Sequence, residues 1–182
     1  MRDGEQAPGV AFSLKKKLPL VRLLDRAGVD ELEVGIPAMG PSARREIRAM
    51  VALERHCRLT SWCRALTADL DLAADCGTDG VHISFPVSAI LLRAMGKTAH
   101  WVLNRLDELV GPALGQFDRV SVGAQDAFRT VSSFNFTGRS FPEASKKSPF
   151  VASAQKGVNS RCLRPGSGTD GSFQARSGET GI

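Results

Sequence analysis

A repeated pattern in residues 1–127 restricts the fold more than any other feature of this sequence. In each copy an amphipathic stretch ends at a glycine, a short Val- or Ile-containing run follows, and a small or polar loop comes next. The copies read VRLLDRAGVDELEVGIPAMG, DLDLAADCGTDGVHISFPVS and LDELVGPALGQFDRVSVGAQD. Glycine after a helical stretch is typical of a helix C-terminus, and short β-branched runs bounded by Gly or Pro are typical of buried parallel strands. The pattern therefore predicts βαβ units.

The predicted elements alternate along the chain. The strands are ELEVGI, RLTSWC, GVHISF and RVSVGA, and the helices are expected at about 13–27, 42–55, 66–76 and 88–110. This order predicts an α/β fold with a parallel sheet, either an open doubly wound sheet or part of a (β/α)8 barrel. Both architectures place the chemistry at the carboxyl ends of the strands.

The net charge of +5 is confined to one end of the chain. Residues 1–128 carry 16 Lys and Arg against 16 Asp and Glu, whereas residues 129–182 carry 8 against 3. The second part is rich in Ser, Gly and Arg and has neither a helical nor an alternating period, which predicts a disordered or weakly structured basic tail. The chain is thus predicted to comprise an α/β domain over 1–128 and a tail over 129–182.

Other classes of protein are excluded by simple features. No run of about 18 apolar residues is present, so no membrane span is predicted, and the charged N-terminus lacks the apolar region of a secretory signal. The four cysteines form no CxxC pair. They are interpreted as reduced thiols, which predicts a cytoplasmic location.

Four segments carry a family resemblance in the same order and spacing: RDGEQAPGVAFS, GVDELEVGIPAMG, GVHISFPVS and VSVGAQDAFR. Together they resemble homocitrate synthase of the nitrogen-fixation type, a member of the metal-dependent acyl-CoA condensing enzymes that include isopropylmalate synthase. The likeness spans about residues 2–129. It implies a TIM-barrel acyltransferase that condenses acetyl-CoA with 2-oxoglutarate to give homocitrate, a precursor of the nitrogenase cofactor, and it implies homo-oligomeric full-length members.

The resemblance also implies roles for particular residues. Arg2 matches an arginine that steadies enolate and 2-oxo acid oxygens, and Asp3 matches a carboxylate ligand of a divalent metal. Gln6 and His82 match residues that face the bound 2-oxo acid. A hard cation with oxygen ligands suits this chemistry, but the residues do not distinguish Mg, Mn or Zn, and no general base is identified.

The sequence departs from the family pattern in three places. Met1 stands where the family has the last leucine of a first strand, the His-x-His pair that supplies two metal ligands has no counterpart, and the likeness stops near Arg129. These departures predict an incomplete N-terminal portion of a barrel, about four to five βα units, that is inactive as this chain. They also suggest the hypothesis that the tail is translated out of frame.

Two further functions remain open from the sequence. One is a sibling condensing enzyme such as isopropylmalate synthase. The other is a non-catalytic fragment whose basic tail binds nucleic acid or an acidic surface, with binding that depends strongly on salt. Nucleic acid is the less expected partner, because residues 1–128 carry no excess charge.

Overall fold

A computed structural model describes residues 1–129 and 150–155. The chain opens with a 3₁₀ turn at Arg2–Gln6, and two further 3₁₀ turns lie at Pro37–Met39 and Ala127–Arg129. The helices are α1 (Leu14–Arg26), α2 (Pro41–Val51), α3 (Thr67–Cys76), α4 (Ala89–Ala94) and α5 (Ala99–Gln116). The strands are β1 (Glu31–Gly35), β2 (Arg58–Arg64), β3 (Gly80–Pro86), β4 (Arg119–Gln125) and β5 (Phe150–Gln155).

The strand order decides between the two predicted architectures. The five strands form one sheet in the order β1-β2-β3-β4-β5, and each neighbouring pair is parallel. A doubly wound sheet reverses its order at a switch point, whereas a barrel adds each strand beside the previous one. The described residues therefore form part of a (β/α)8 barrel.

The helices cover one face of the sheet, where alternate strand residues are apolar. One cluster joins Leu32 and Val34 of β1 to Ile47 and Met50 of α2. A second, larger cluster joins the apolar residues of β3 and β4 to α3 and α5. Burial of these side chains is the main favourable term for the fold.

The other face of the sheet is polar, and it is called the inner face below. Strand side chains alternate between faces, so the inner face carries the residues one position out of step with the core. Its members are Glu31, Glu33, Thr60, Trp62, Gly80, His82, Ser84, Arg119, Ser121 and Gly123. Several of them are buried, including His82 and Ser84 at 7% and 3% exposure. A polar sheet face with several buried members fits the interior of a barrel that carries a site on this face.

The prediction of a single helix over 88–110 is wrong in its extent. The structure has α4 and α5 instead, separated by Met95–Thr98. Gly96 has φ of +62°, a left-handed conformation that ends a helix at little cost on glycine. The Thr98 hydroxyl then accepts a hydrogen bond from Trp101 N at 3.2 Å and starts α5, as an N-cap does.

Part of the predicted tail lies in the sheet. Phe150–Gln155 forms β5 and pairs with β4 from Val120 to Gln125, where the sequence predicts no strand. The rest of the predicted tail, residues 130–149 and 156–182, lies outside the described residues, as does Cys162.

The described cysteines and helices have two further properties. Cys57, Cys63 and Cys76 are buried free thiols, and burial raises the pKa of each of them. Across residues 1–129 and 150–155, no helix is both long and apolar enough to cross a bilayer.

Candidate functional site

Arg2 is held over the inner face by three contacts. Its Nε donates a hydrogen bond to the Glu33 carboxylate. Its guanidinium lies 5.2 Å from the centroid of the Trp62 ring, within the range of a cation–π contact. Its Nη2 lies 3.0 Å from Asp3 Oδ1. The side chain is only 12% exposed, so the guanidinium is a nearly buried, fixed positive charge.

Three strands place a row of side chains at one level of the inner face. Trp62 of β2 is in register with His82 of β3, and His82 is in register with Ser121 of β4. His82 Nδ1 and Ser121 Oγ share a hydrogen bond of 2.8 Å. Neither His82 Nε2 nor Trp62 Nε1 has a hydrogen-bond partner among the described residues. The row therefore holds two buried polar atoms without a protein partner, and one of them, His82 Nε2, lies against Gly123.

The imidazole of His82 is kept neutral. Burial and, to a smaller extent, the nearby Arg2 charge lower its pKa to about 4, and the charge of Asp3 acts in the opposite direction. At neutral pH His82 therefore carries no positive charge. One of its ring nitrogens can donate a hydrogen bond and the other can accept one.

Gly123 makes room for that imidazole. It lies on the same face of β4 as Ser121, two residues further along the strand. A β-carbon at this position would approach His82 Cε1 to 2.8 Å, which is closer than real side chains come. The absence of a side chain at Gly123 is thus a condition for the observed position of His82.

Glu33 is the counter-charge that orients Arg2. Burial raises the pKa of this carboxyl, while the hydrogen bond and charge of Arg2 act in the opposite direction. A guanidinium has a planar set of donors, and the carboxylate engages its Nε edge. The Glu33 contact therefore fixes the plane of the Arg2 fork.

A second polar layer lies nearer the amino ends of the strands. Glu31 of β1 accepts a hydrogen bond from Thr60 Oγ1 at 2.7 Å and forms an ion pair of 2.6 Å with Arg119 Nε of β4. Arg119 reaches Glu31 across Gly80 of β3, where a β-carbon would meet Thr60 Oγ1 at 2.9 Å. This layer closes the lower part of the inner face beneath the His82 row.

The structure brings together three of the four predicted site residues. Arg2 and Asp3 adjoin each other in the opening turn, and Arg2 lies over Trp62, the register neighbour of His82. Gln6 is exposed at the end of the same turn, and no contact among the described residues places it in the cluster.

Sequence reasoning missed Glu33 and Ser121, and it interpreted Trp62 as a packing residue. The signal was present in the strand alternation. Strands of a barrel have both faces buried, so a polar residue at every second position marks the interior. In ELEVG that rule selects Glu31 and Glu33, and in RVSVG it selects Ser121.

The divalent cation implied by the resemblance does not fit the described residues by themselves. Asp3 offers one carboxylate, and its side chain is 60% exposed and paired with Arg2. In the part of the chain that the structure describes, no group of three or more His, Cys, Asp or Glu could hold a metal ion. Ligand number governs the affinity of such sites, and one carboxylate is not enough.

The fold and the site together define a class of protein. It is an α/β barrel with sequential parallel strands and helices on one face of the sheet, and its candidate site lies on the inner face below the turn that carries Arg2. Comparison with known families makes this specific: the HMGL-like family matches residues 1–137. The chain belongs to the HMGL-like family.

Curated relatives agree with that assignment. The chain is 42% identical over 135 residues to "Homocitrate synthase" of Frankia alni, covering 74% of this chain and 38% of the relative. It is 42% identical over 135 residues to "Homocitrate synthase 1" of Nostoc sp., covering 36% of that protein. It is 38% identical over 135 residues to "2-isopropylmalate synthase 2" of Caldanaerobacter subterraneus, covering 35% of that protein. The chain therefore spans little more than a third of the length of these relatives.

Proposed function

We propose that this chain carries part of the active site of a homocitrate synthase-type acyltransferase, which condenses acetyl-CoA with 2-oxoglutarate to give homocitrate. The observation that carries the proposal is the position of Arg2, fixed by Glu33 and Trp62 above the His82 row. Homocitrate synthases among the relatives at 42% identity support the choice of substrate. A role in forming the nitrogenase cofactor and a cytoplasmic location belong to the same proposal.

Arg2 supplies charge stabilisation in this proposal. Condensation converts the carbonyl oxygen of the 2-oxo acid into an alkoxide, and the acetyl group passes through an enolate. A fixed guanidinium facing these oxygens stabilises both charges without reorganising. The Glu33 contact occupies Nε, and Asp3 Oδ1 lies 3.0 Å from Nη2. A substrate oxygen that binds Nη2 therefore shares it with Asp3 or displaces that carboxylate.

His82 orients the oxo acid. Its Nε2 faces no partner among the described residues, and the Ser121 contact fixes the ring through Nδ1. A neutral imidazole in this position can hydrogen-bond a substrate oxygen, and the Ser121 hydroxyl determines its orientation. Asp3 is proposed to contribute one carboxylate toward a divalent cation whose other ligands lie outside the described residues.

A chimera tests the proposal. The 135 matched residues of this chain replace the corresponding segment of the Frankia alni homocitrate synthase, and CoA release is measured with 2-oxoglutarate. We expect turnover, and we expect Arg2→Gln to lower kcat by about 10²–10³, as does removal of an oxyanion donor elsewhere. Arg22→Gln is the matched control, because Arg22 is an exposed arginine on α1. Equal rates for the two variants would contradict the role of Arg2.

The 182-residue chain alone gives a complementary measurement. We expect it to form no homocitrate, because the described residues supply a single candidate metal ligand. Homocitrate formation by the purified chain would contradict that expectation.

A further inference from the structure

Lys17 is a buried lysine that joins three elements of the chain. It lies on α1 and is 8% exposed, whereas its neighbours Lys15 and Lys16 on the same helix are exposed. Its Nζ lies 2.9 Å from Glu5 Oε1 in the opening turn and 2.7 Å from Glu46 Oε2 on α2. One ammonium therefore ties the opening turn to two helices of the barrel.

Burial makes these contacts obligatory. An ammonium taken out of water is costly unless it is paired and hydrogen-bonded. Burial lowers the pKa of Lys17, but the hydrogen bonds to Glu46 and Glu5 outweigh it, and the net pKa lies above its usual value. Lys17 is thus charged over the whole physiological range, and its ammonium has carboxylate partners on both the opening turn and α2.

Glu5 extends the link to the rest of the opening segment. Its Oε1 also lies 3.4 Å from the backbone N of Phe12, which closes residues 5–12 into a loop. No residue of the opening turn is fully buried, although Met1, directly before it, packs against the core cluster of β1, α1 and α2. At the Glu5 end of the turn the contacts with the barrel are polar.

We propose that Lys17 is a positioning residue of the site: through Glu5 it fixes the opening turn, and thereby sets the Arg2 guanidinium over the Trp62 ring. The importance of that geometry for catalysis rests on the proposed function, but the geometry can be measured without substrate.

Trp62 fluorescence in the full 182-residue chain is the readout. The sequence has two tryptophans, so Trp101→Phe leaves Trp62 as the sole reporter. Emission maximum and acrylamide quenching are measured for Arg2→Gln, Lys17→Met, Lys17→Arg, Glu5→Ala and Lys16→Met in that background. Far-UV circular dichroism on each variant reports whether the fold is retained.

We expect Arg2→Gln to shift the Trp62 emission to longer wavelength and to increase its quenching, because the guanidinium no longer covers the ring. Lys17→Met and Glu5→Ala should produce the same two changes. Lys17→Arg keeps a cation at the same place and should restore the parent signal, and Lys16→Met should not alter it. Glu5→Ala leaves the Lys17–Glu46 pair between α1 and α2 intact, so it decides the question if Lys17→Met loses its fold.

Three results would overturn the inference. The first is an unchanged Trp62 emission maximum and quenching in Arg2→Gln. The second is unchanged Trp62 fluorescence in a folded Glu5→Ala chain. The third is a change in Trp62 fluorescence for the control Lys16→Met that equals the change for Lys17→Met. An inactive chimera with the expected Trp62 response would instead count against the proposed function alone.

Discussion

His82 shows how a single residue takes its chemistry from its place in the sheet. The residues by themselves predict a core histidine bonded to backbone, whereas the family resemblance implies a pocket residue. In the structure Nδ1 is bonded to the Ser121 side chain rather than to backbone, while Nε2 has no partner in the described part of the chain.

The depressed pKa of His82 makes stability depend on pH. Because the folded pKa is about 4 and the unfolded value is about 6.5, the unfolded chain binds the extra proton first as the pH falls. We expect the free energy of unfolding to fall by about 3 kcal/mol from this group between pH 6.5 and 4. Urea unfolding at several pH values measures it. His82→Asn, which retains a polar atom near Ser121, should have a flatter profile, and identical profiles would contradict the assignment.

Gly123 gives a second test at the scale of one residue. Gly123→Ala would force the His82 ring from its position, and overpacking of this kind costs about 1–3 kcal/mol. Gly111→Ala is the matched control, since nothing lies within 4 Å of its added β-carbon and alanine favours a helix over glycine by about 1 kcal/mol. Denaturant midpoints of the two variants should move in opposite directions. A stabilised Gly123→Ala would rule out the close approach.

The strands were the elements that the sequence predicted best. ELEVGI and RVSVGA coincide with β1 and β4 to within one residue, because β-branched residues bounded by glycines leave few alternatives. The α4–α5 break was missed, since the helical period continues across Gly96. Helix α5 also continues to Gln116 through Pro112, although proline inside a helix usually predicts its end.

The polar layer below His82 links the neighbouring strands β1 and β2 and also links β1 to β4, which is not its neighbour in the sheet. Glu31 on β1 contacts Thr60 on β2 and Arg119 on β4. A double-mutant cycle of Glu31→Gln and Arg119→Gln, read by urea unfolding, should give a coupling energy of about 1–3 kcal/mol, as for partly buried charged partners. A coupling near zero would mean that the ion pair does not hold the inner face together.

At the scale of the whole molecule, the residue pattern predicted the fold class, whereas the family resemblance predicted the site residues. Periodicity predicted βα units but left the choice between an open sheet and a barrel, which the strand order settled. Arg2 was predicted only by resemblance, because an arginine at residue 2 has no periodic context. The strand alternation marks Glu33, but the contacts by which Glu33 and Trp62 hold Arg2 became evident only when three distant segments met in space.

The described residues contain the arginine and histidine part of the candidate site, but not a complete set of metal ligands. Arg2, Glu33, Trp62 and His82 are mutually arranged, whereas a full set of metal ligands is not found among the described residues. This division fits a chain that spans little more than a third of its curated relatives.

The most direct test of the account is the oxo-acid preference of the chimera in the Frankia alni homocitrate synthase. Its kcat/KM is measured with 2-oxoglutarate and with 2-oxoisovalerate, the oxo acid of isopropylmalate synthesis, each with and without Arg2→Gln. We expect turnover with 2-oxoglutarate as the preferred oxo acid, and loss of turnover in the Arg2→Gln chimera. A folded chimera that prefers 2-oxoisovalerate, or that works equally well without Arg2, would contradict it.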